Sequence, residues 1–128
     1  MRTLLMGCLM ALSTAAHAQQ QGPDIAAQKA AMAKLGFLVG KWSGPISVQR
    51  GPGQPLTMVQ TEDVQMKLDG LVLTVEGTSK DTAGQARFRA LATISYDDAE
   101  KKYHFRAFND GRYLHGTGRA GEGLLVGV

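Results

Sequence analysis

The feature that most limits what this chain can fold into is a period-two alternation that sets in after Gly40 and is interrupted only by short turns. Successive side chains of a strand point to opposite faces, so apolar residues at every second position mark a half-buried strand. Leu56, Met58, Val64, Met66 and Leu68 share one face of a long run, while Thr57, Thr61, Asp63, Gln65 and Lys67 share the other. Leu71, Leu73 and Val75 alternate with Thr74, Glu76 and Thr78. Phe88, Ala90, Ala92, Ile94 and Tyr96 form one face of residues 87–96, and Tyr103, Phe105 and Ala107 one face of residues 102–108. Residues 42–49, 112–119 and 124–128 supply three more strands, seven in all.

The connections are those of hairpins. Asp69-Gly70 between alternating runs predicts a two-residue turn with positive φ at both positions. Residues 97–100, 109–111 and 121–123 turn the chain again, and residues 80–85 form a loop. Pro and Gly in residues 50–55 forbid a ladder there. Loops this short cannot make parallel crossovers, so sequence neighbours should pair antiparallel. The fold class expected is all-β, an antiparallel up-and-down meander forming a barrel or curved sheet.

One helix precedes the strands. Asp24 can cap it, and the following residues are rich in the helix formers Ala, Gln and Lys. Ile25, Met32, Leu35 and Val39 fall at helical spacing on one face, which predicts an amphipathic helix over residues 24–39 packed on the domain as a lid or plug.

The chain starts with Met1-Arg2, a short apolar stretch and Ala16-His17-Ala18, the pattern of a secretory signal peptide cleaved after Ala18. Lipoprotein processing at Cys8 is the competing reading, but it leaves almost no apolar segment before the cysteine. Removing 18 of 128 residues leaves 110, read as a flexible leader (residues 19–23) and a single β domain (residues 24–128). Cys8 is the sole cysteine and departs with the signal, so the exported protein has neither disulfide nor thiol chemistry. Localisation is expected to be periplasmic or secreted, and no segment after the signal is long and apolar enough to span a bilayer as a helix. With Arg2 gone, 13 of the 14 basic residues face 11 acidic ones, a balance too even to argue for nucleic acid. At the other end, Leu124-Leu125-Val126-Gly127-Val128 is an apolar strand without a closing turn, and barrel closure usually takes about eight strands. The sequence is therefore read as a fragment lacking C-terminal strands, with an open sheet.

The segment joining helix to strand is the most distinctive. Phe37-Leu38-Val39-Gly40-Lys41-Trp42-Ser43-Gly44, an FLxGxWxG signature, resembles the start of calycin-like barrels; lipocalins share its Gly-x-Trp part and nitrobindin-like haem barrels more of it. A closer resemblance is to a family of exported bacterial proteins of unknown function. It rests on Glu62-Asp63, Leu68-Asp69-Gly70-Leu71, Ser95-Tyr96-Asp97 and Gly111-Arg112-Tyr113, spans Leu35 to about Thr117, and implies several more strands beyond. Phe37, Gly40, Trp42 and Gly44 are read as structural. Gly40 lets the chain leave the helix, and Trp42 is expected to bury its ring in the core, so that Trp42→Ala should cost roughly 3–5 kcal/mol.

Candidates for chemistry are few. His104 and His115 lie on different strands without partners at metal-ligand spacing, so no metal site is read. His104 should face outward, while His115, sharing a face with Tyr113 and Thr117, could point inward. Nitrobindin-like proteins, by the resemblance, carry their iron-binding histidine beyond the position of Val128, so haem is not expected and no cofactor is predicted. Gln60 and Glu62 break the apolar face of their strand. Either they are polar anchors for a ligand in an apolar cup, with Glu62 paired to Arg106 or Arg112, or a bulge turns both outward. Arg112 and Tyr113 could contact an anionic ligand or simply flank a turn. The candidate ligand-binding set is thus Gln60, Glu62, Arg112, Tyr113 and His115, with any cavity a trough near Glu62, Tyr113 and His115. No nucleophile–base pair is present, and the reading leans away from an enzyme. The function expected is an exported small-ligand-binding domain for an apolar or amphipathic molecule. The alternative is a structural or protein-interaction domain with a filled core, a role that Ala90, Ala92 and Ala107 beside Phe88 and Phe105 would suit equally.

Overall fold

The computed structural model describes residues 22–49, 51–119 and 125–127. The expected signal peptide, the Cys8 alternative and most of the expected leader lie outside the described residues. The structure is mostly β: α1 (Ile25–Ala33) is followed by β1 (Gly40–Val48), β2 (Leu56–Lys67), β3 (Val72–Lys80), β4 (Ala86–Asp97), β5 (Lys102–Asn109), β6 (Arg112–Gly118) and β7 (Leu125–Gly127). They form one antiparallel sheet in the order β1-β2-β3-β4-β5-β6-β7, six full strands and a three-residue seventh. The sheet is open, with β1 and β7 at opposite ends of the order.

The register assigns the side chains of β1 to β6 to faces. One row across the strands reads Met66, Leu73, Ile94, Phe105 and Gly116; a second reads Gly40, Val64, Val75, Ala92, Ala107 and Leu114. This face, here called inner, carries the helix. Met32 of α1 is fully buried against Val64 and Leu73, and Leu35, Leu38, Met66, Val75, Ile94, Tyr96 and Tyr103 pack around that cluster. Tyr96 and Tyr103 meet edge to face at 4.9 Å, a favourable arrangement of ring quadrupoles. The Tyr103 hydroxyl donates to the Ala31 carbonyl at 2.8 Å, and burial, with Tyr96 a lesser cause, raises its pKa above the ordinary tyrosine value.

The first half of the helix is pinned by polar contacts. The Asp24 carboxylate accepts from Ala27 N at 2.9 Å, the cap that the sequence predicts. Asp98, in the β4–β5 turn, accepts from the Asp24 backbone N–H at 2.9 Å and from the Gln28 side chain at 2.5 Å. Lys29 pairs with Asp69 in the β2–β3 loop. The helix is shorter than the sequence suggests: it ends at Ala33, and Gly36–Leu38 is a separate 3-10 turn. The 3.6-residue spacing therefore does not carry from Ile25 to Val39, and those two residues are 44% and 47% exposed rather than buried.

Two turns reverse the expected division of labour. The Asp69-Gly70 hairpin exists, but Lys67 pairs with Val72, so its loop has four residues and Leu68 leaves the strand with φ 49°. The two-residue turn of positive φ is instead Asp110-Gly111, with φ 43° and 76° between paired Asn109 and Arg112.

Candidate functional site

Beyond the reach of the helix, the inner face holds an apolar trough of 400 Å³. Its origin is the size of the side chains. Gly77 pairs with Ala90 and Ala92 with Ala107, so three neighbouring strands present small residues at adjacent positions. Leu38, Val64, Val75 and Phe105 form apolar walls, and Trp42 stands at the β1 side. In the sequence Ala90, Ala92 and Ala107 suit a filled core as well as a ligand cup. Their small size in a run of larger inner residues is the signal of the trough, and Gly77 and Ser79 were not singled out at all.

Gln60 and Glu62 line this trough. The bulge that would turn them outward is absent: β2 keeps an unbroken register with β1 and β3 through both positions, and the sheet's register shift lies at Ser79/Lys80. The two side chains form a hydrogen-bonded chain with Ser79. The Ser79 hydroxyl, fully buried, donates to Gln60 Oε1 at 2.9 Å, and Gln60 Nε2 donates to Glu62 Oε1 at 2.7 Å. Gly77 lies opposite Glu62, and a Cβ there would make ordinary contacts, 3.7 Å from Gln60 Nε2 and 3.9 Å from Glu62 Cγ.

The structure separates the rest of the expected set. Arg112 lies in the same register row as Glu62, through Gly77, Ala90 and Asn109. It is nevertheless four strands away, about 19 Å along the sheet at roughly 4.8 Å per strand. Arg106 pairs with His115 on the outer face, so neither arginine meets Glu62. Tyr113 and His115 are also on the outer face, where Tyr113 stacks with His115 at 5.8 Å and contacts Phe108 at 5.3 Å. The two-residue Asp110-Gly111 turn causes this, because it brings Ala107 opposite Leu114 and so sends odd-numbered residues of β6 outward. Arg112 and Tyr113 border a second hollow, of 510 Å³, with Arg89, Leu91 and Phe108. All five are exposed, and the hollow shares Gly77 and Ala90 with the trough.

Trp42 departs from the expected core role. It is 52% exposed, because β1 is an edge strand with a neighbour on one side only. Its indole N–H finds the partner such a ring needs, donating to the Leu38 carbonyl at 2.7 Å. Gly40, at φ 140°, takes a conformation open to glycine and sets the turn from Leu38 into β1. Gly44 pairs with Gln60, and Phe37 is 73% exposed. His104 is on the outer face as expected, 4.0 Å from Asp97. Among the described residues no three His, Cys, Asp or Glu side chains converge on a metal-sized site, and no helix is long and apolar enough to cross a membrane.

Fold and site together define a mostly β protein built as an open antiparallel meander, with a short helix over one part of its inner face and an apolar trough beside it. The chain belongs to the family described as "Protein of unknown function (DUF1579)", whose model matches residues 26–115. Comparison with the curated proteins and with the solved structures gives no match.

Proposed function

We propose that this is an exported calycin-like domain that binds a small apolar or amphipathic molecule in the trough between Trp42 and Phe105. The observation that carries the reading is the trough's composition. Its walls are apolar, and among the described residues its one polar feature is a short hydrogen-bonded chain, Gln60–Glu62 backed by Ser79. Small-molecule sites combine an apolar lining with a few placed polar groups, at volumes of roughly 300–1,000 Å³. A structural domain with a filled core would put side chains where Gly77, Ala90, Ala92 and Ala107 leave space. Export is supported by the signal-like start of the chain, and the calycin-like character by the Phe37–Gly44 signature; mass spectrometry finding Gln19 as the N-terminus would establish processing, and acylated Cys8 would refute it.

Trp42 is the chain's single tryptophan and borders the trough, so its emission reports occupancy. Titration of the purified protein with 1-decanol should give a saturable shift in Trp42 emission, and Ala92→Leu, which fills the floor, should abolish it while the fold persists. An absence of saturable change in the folded wild-type protein would remove the proposal. Dimerisation that rises with protein concentration and resists decanol would place a second copy of the chain in the trough instead.

A further inference from the structure

We infer that the trough selects a cationic amphiphile: an apolar chain or ring system ending in an ammonium or amidinium group. This rests on the ligand-binding reading above and adds the sign of the head group. Among the described residues, Glu62 is the only charged side chain lining the trough. Its carboxylate receives one hydrogen bond, at Oε1 from Gln60, and forms no ion pair among the described residues. The nearby cation in sequence, Lys41, is on the outer face and bound to Asp63 at 2.7 Å. Arg112 shares the Glu62 row but stands four strands off. A partly buried carboxylate with no counter-ion is costly, and a ligand cation offsets that cost.

Two neighbours reinforce the sign. Ser79 holds the oxygen of the Gln60 amide, so its NH₂ is turned to Glu62 and the pair is ordered around the carboxylate. Trp42 is the register partner of Glu62, is half exposed and lines the same trough. A cation held at Glu62 gains from the negative charge, and from the ring quadrupole where it reaches the indole face. An alkyl carboxylate in the same trough would meet Glu62 as a like charge, with no lining Lys or Arg to neutralise it.

The test is a three-ligand comparison at neutral pH, each ligand below its micelle concentration: decylammonium, 1-decanol and decanoate, followed by Trp42 emission and calorimetry. Decylammonium should bind about tenfold more tightly than decanol, decanoate should bind more weakly than either, and added salt should shrink the differences. Glu62→Gln should bring decylammonium down to the level that decanol shows with the same variant. If decanol binds but decanoate matches or exceeds decylammonium, the head-group inference is wrong and the binding reading stands. A cation preference that survives in Glu62→Gln likewise removes Glu62 as its source. If none of the three binds the folded wild-type protein, both readings fall.

Discussion

Met32→Ala should destabilise the domain by about 3 kcal/mol, within the 2–5 kcal/mol usual for truncating a buried methionine. Met32 is 0% exposed and is the helix's contribution to the cluster with Val64 (4%) and Leu73 (0%). The truncation removes Cγ, Sδ and Cε from the junction of α1 and the sheet, where Leu38 and Tyr103 also pack. At about 4–8 °C per kcal/mol for a domain of this size, Tm should fall by about 12–24 °C. Ile25→Ala on the same helix is the control: Ile25 is 44% exposed, and its truncation should stay near the roughly 0.5 kcal/mol typical of surface changes. Thermal and urea unfolding should be followed by circular dichroism and by Trp42 emission together. The indole is tied to the Leu38 carbonyl just after α1, so both signals should shift as one in the Met32 variant. Equal, small effects of the two substitutions would refute the docking of the helix. So would loss of helical signal in Met32→Ala with the sheet transition unmoved, since the helix would then lie outside the cooperative unit.

Trp42→Ala should cost about 2–3 kcal/mol, less than for a fully buried ring. Half exposure leaves on the order of 100 Å² of its surface buried, at about 25 cal/mol per Å²; a loss above 4 kcal/mol in urea melts would restore the core reading. Ser79→Ala should cost about 1 kcal/mol by freeing Gln60 Oε1 and should disorder the Gln60 amide, seen as altered side-chain NH₂ resonances; unchanged resonances would break the Ser79–Gln60–Glu62 chain. Asp98 is held below the ordinary carboxylate pKa, chiefly by the Gln28 side chain and then by the Asp24 N–H. A depressed folded pKa contributes stability above the unfolded value and loses it as pH falls through the folded one. The Tm gap between wild type and Asp98→Asn should therefore close on acidification, and a gap independent of pH would contradict this anchor of α1.

Much of the architecture is legible in the residues because strand periodicity and caps are local properties. Residues 42–49, 87–96 and 102–108 each fall within one or two residues of an observed strand end, and the Asp24 cap forms as its side chain dictates. Which side chains meet is not local. The face of Tyr113 and His115 depends on whether the β5–β6 turn has two residues or three, and reading residues 109–111 as the turn hides the two-residue Asp110-Gly111 solution. Glu62 and Arg112 share a face, yet only the strand order shows that three strands separate them. Trp42 looks like a core residue from its size, and its position on the edge strand is what exposes it. Gln60 and Glu62, the breaks in an alternating pattern, are the two residues of the expected ligand set that line the trough.

The most direct test of the central claim is to map which face of the sheet a ligand touches. Backbone amide shifts of the isotopically labelled protein, titrated with 1-decanol, should move at Gly77, Ala90, Ala92 and Ala107 and at the Trp42 indole N–H, all around the trough. Amides on the outer-face aromatic cluster of Phe108, Tyr113 and His115 should stay in place. Shifts confined to that outer cluster, or spread evenly over both faces, would contradict the assignment of the trough as the binding site.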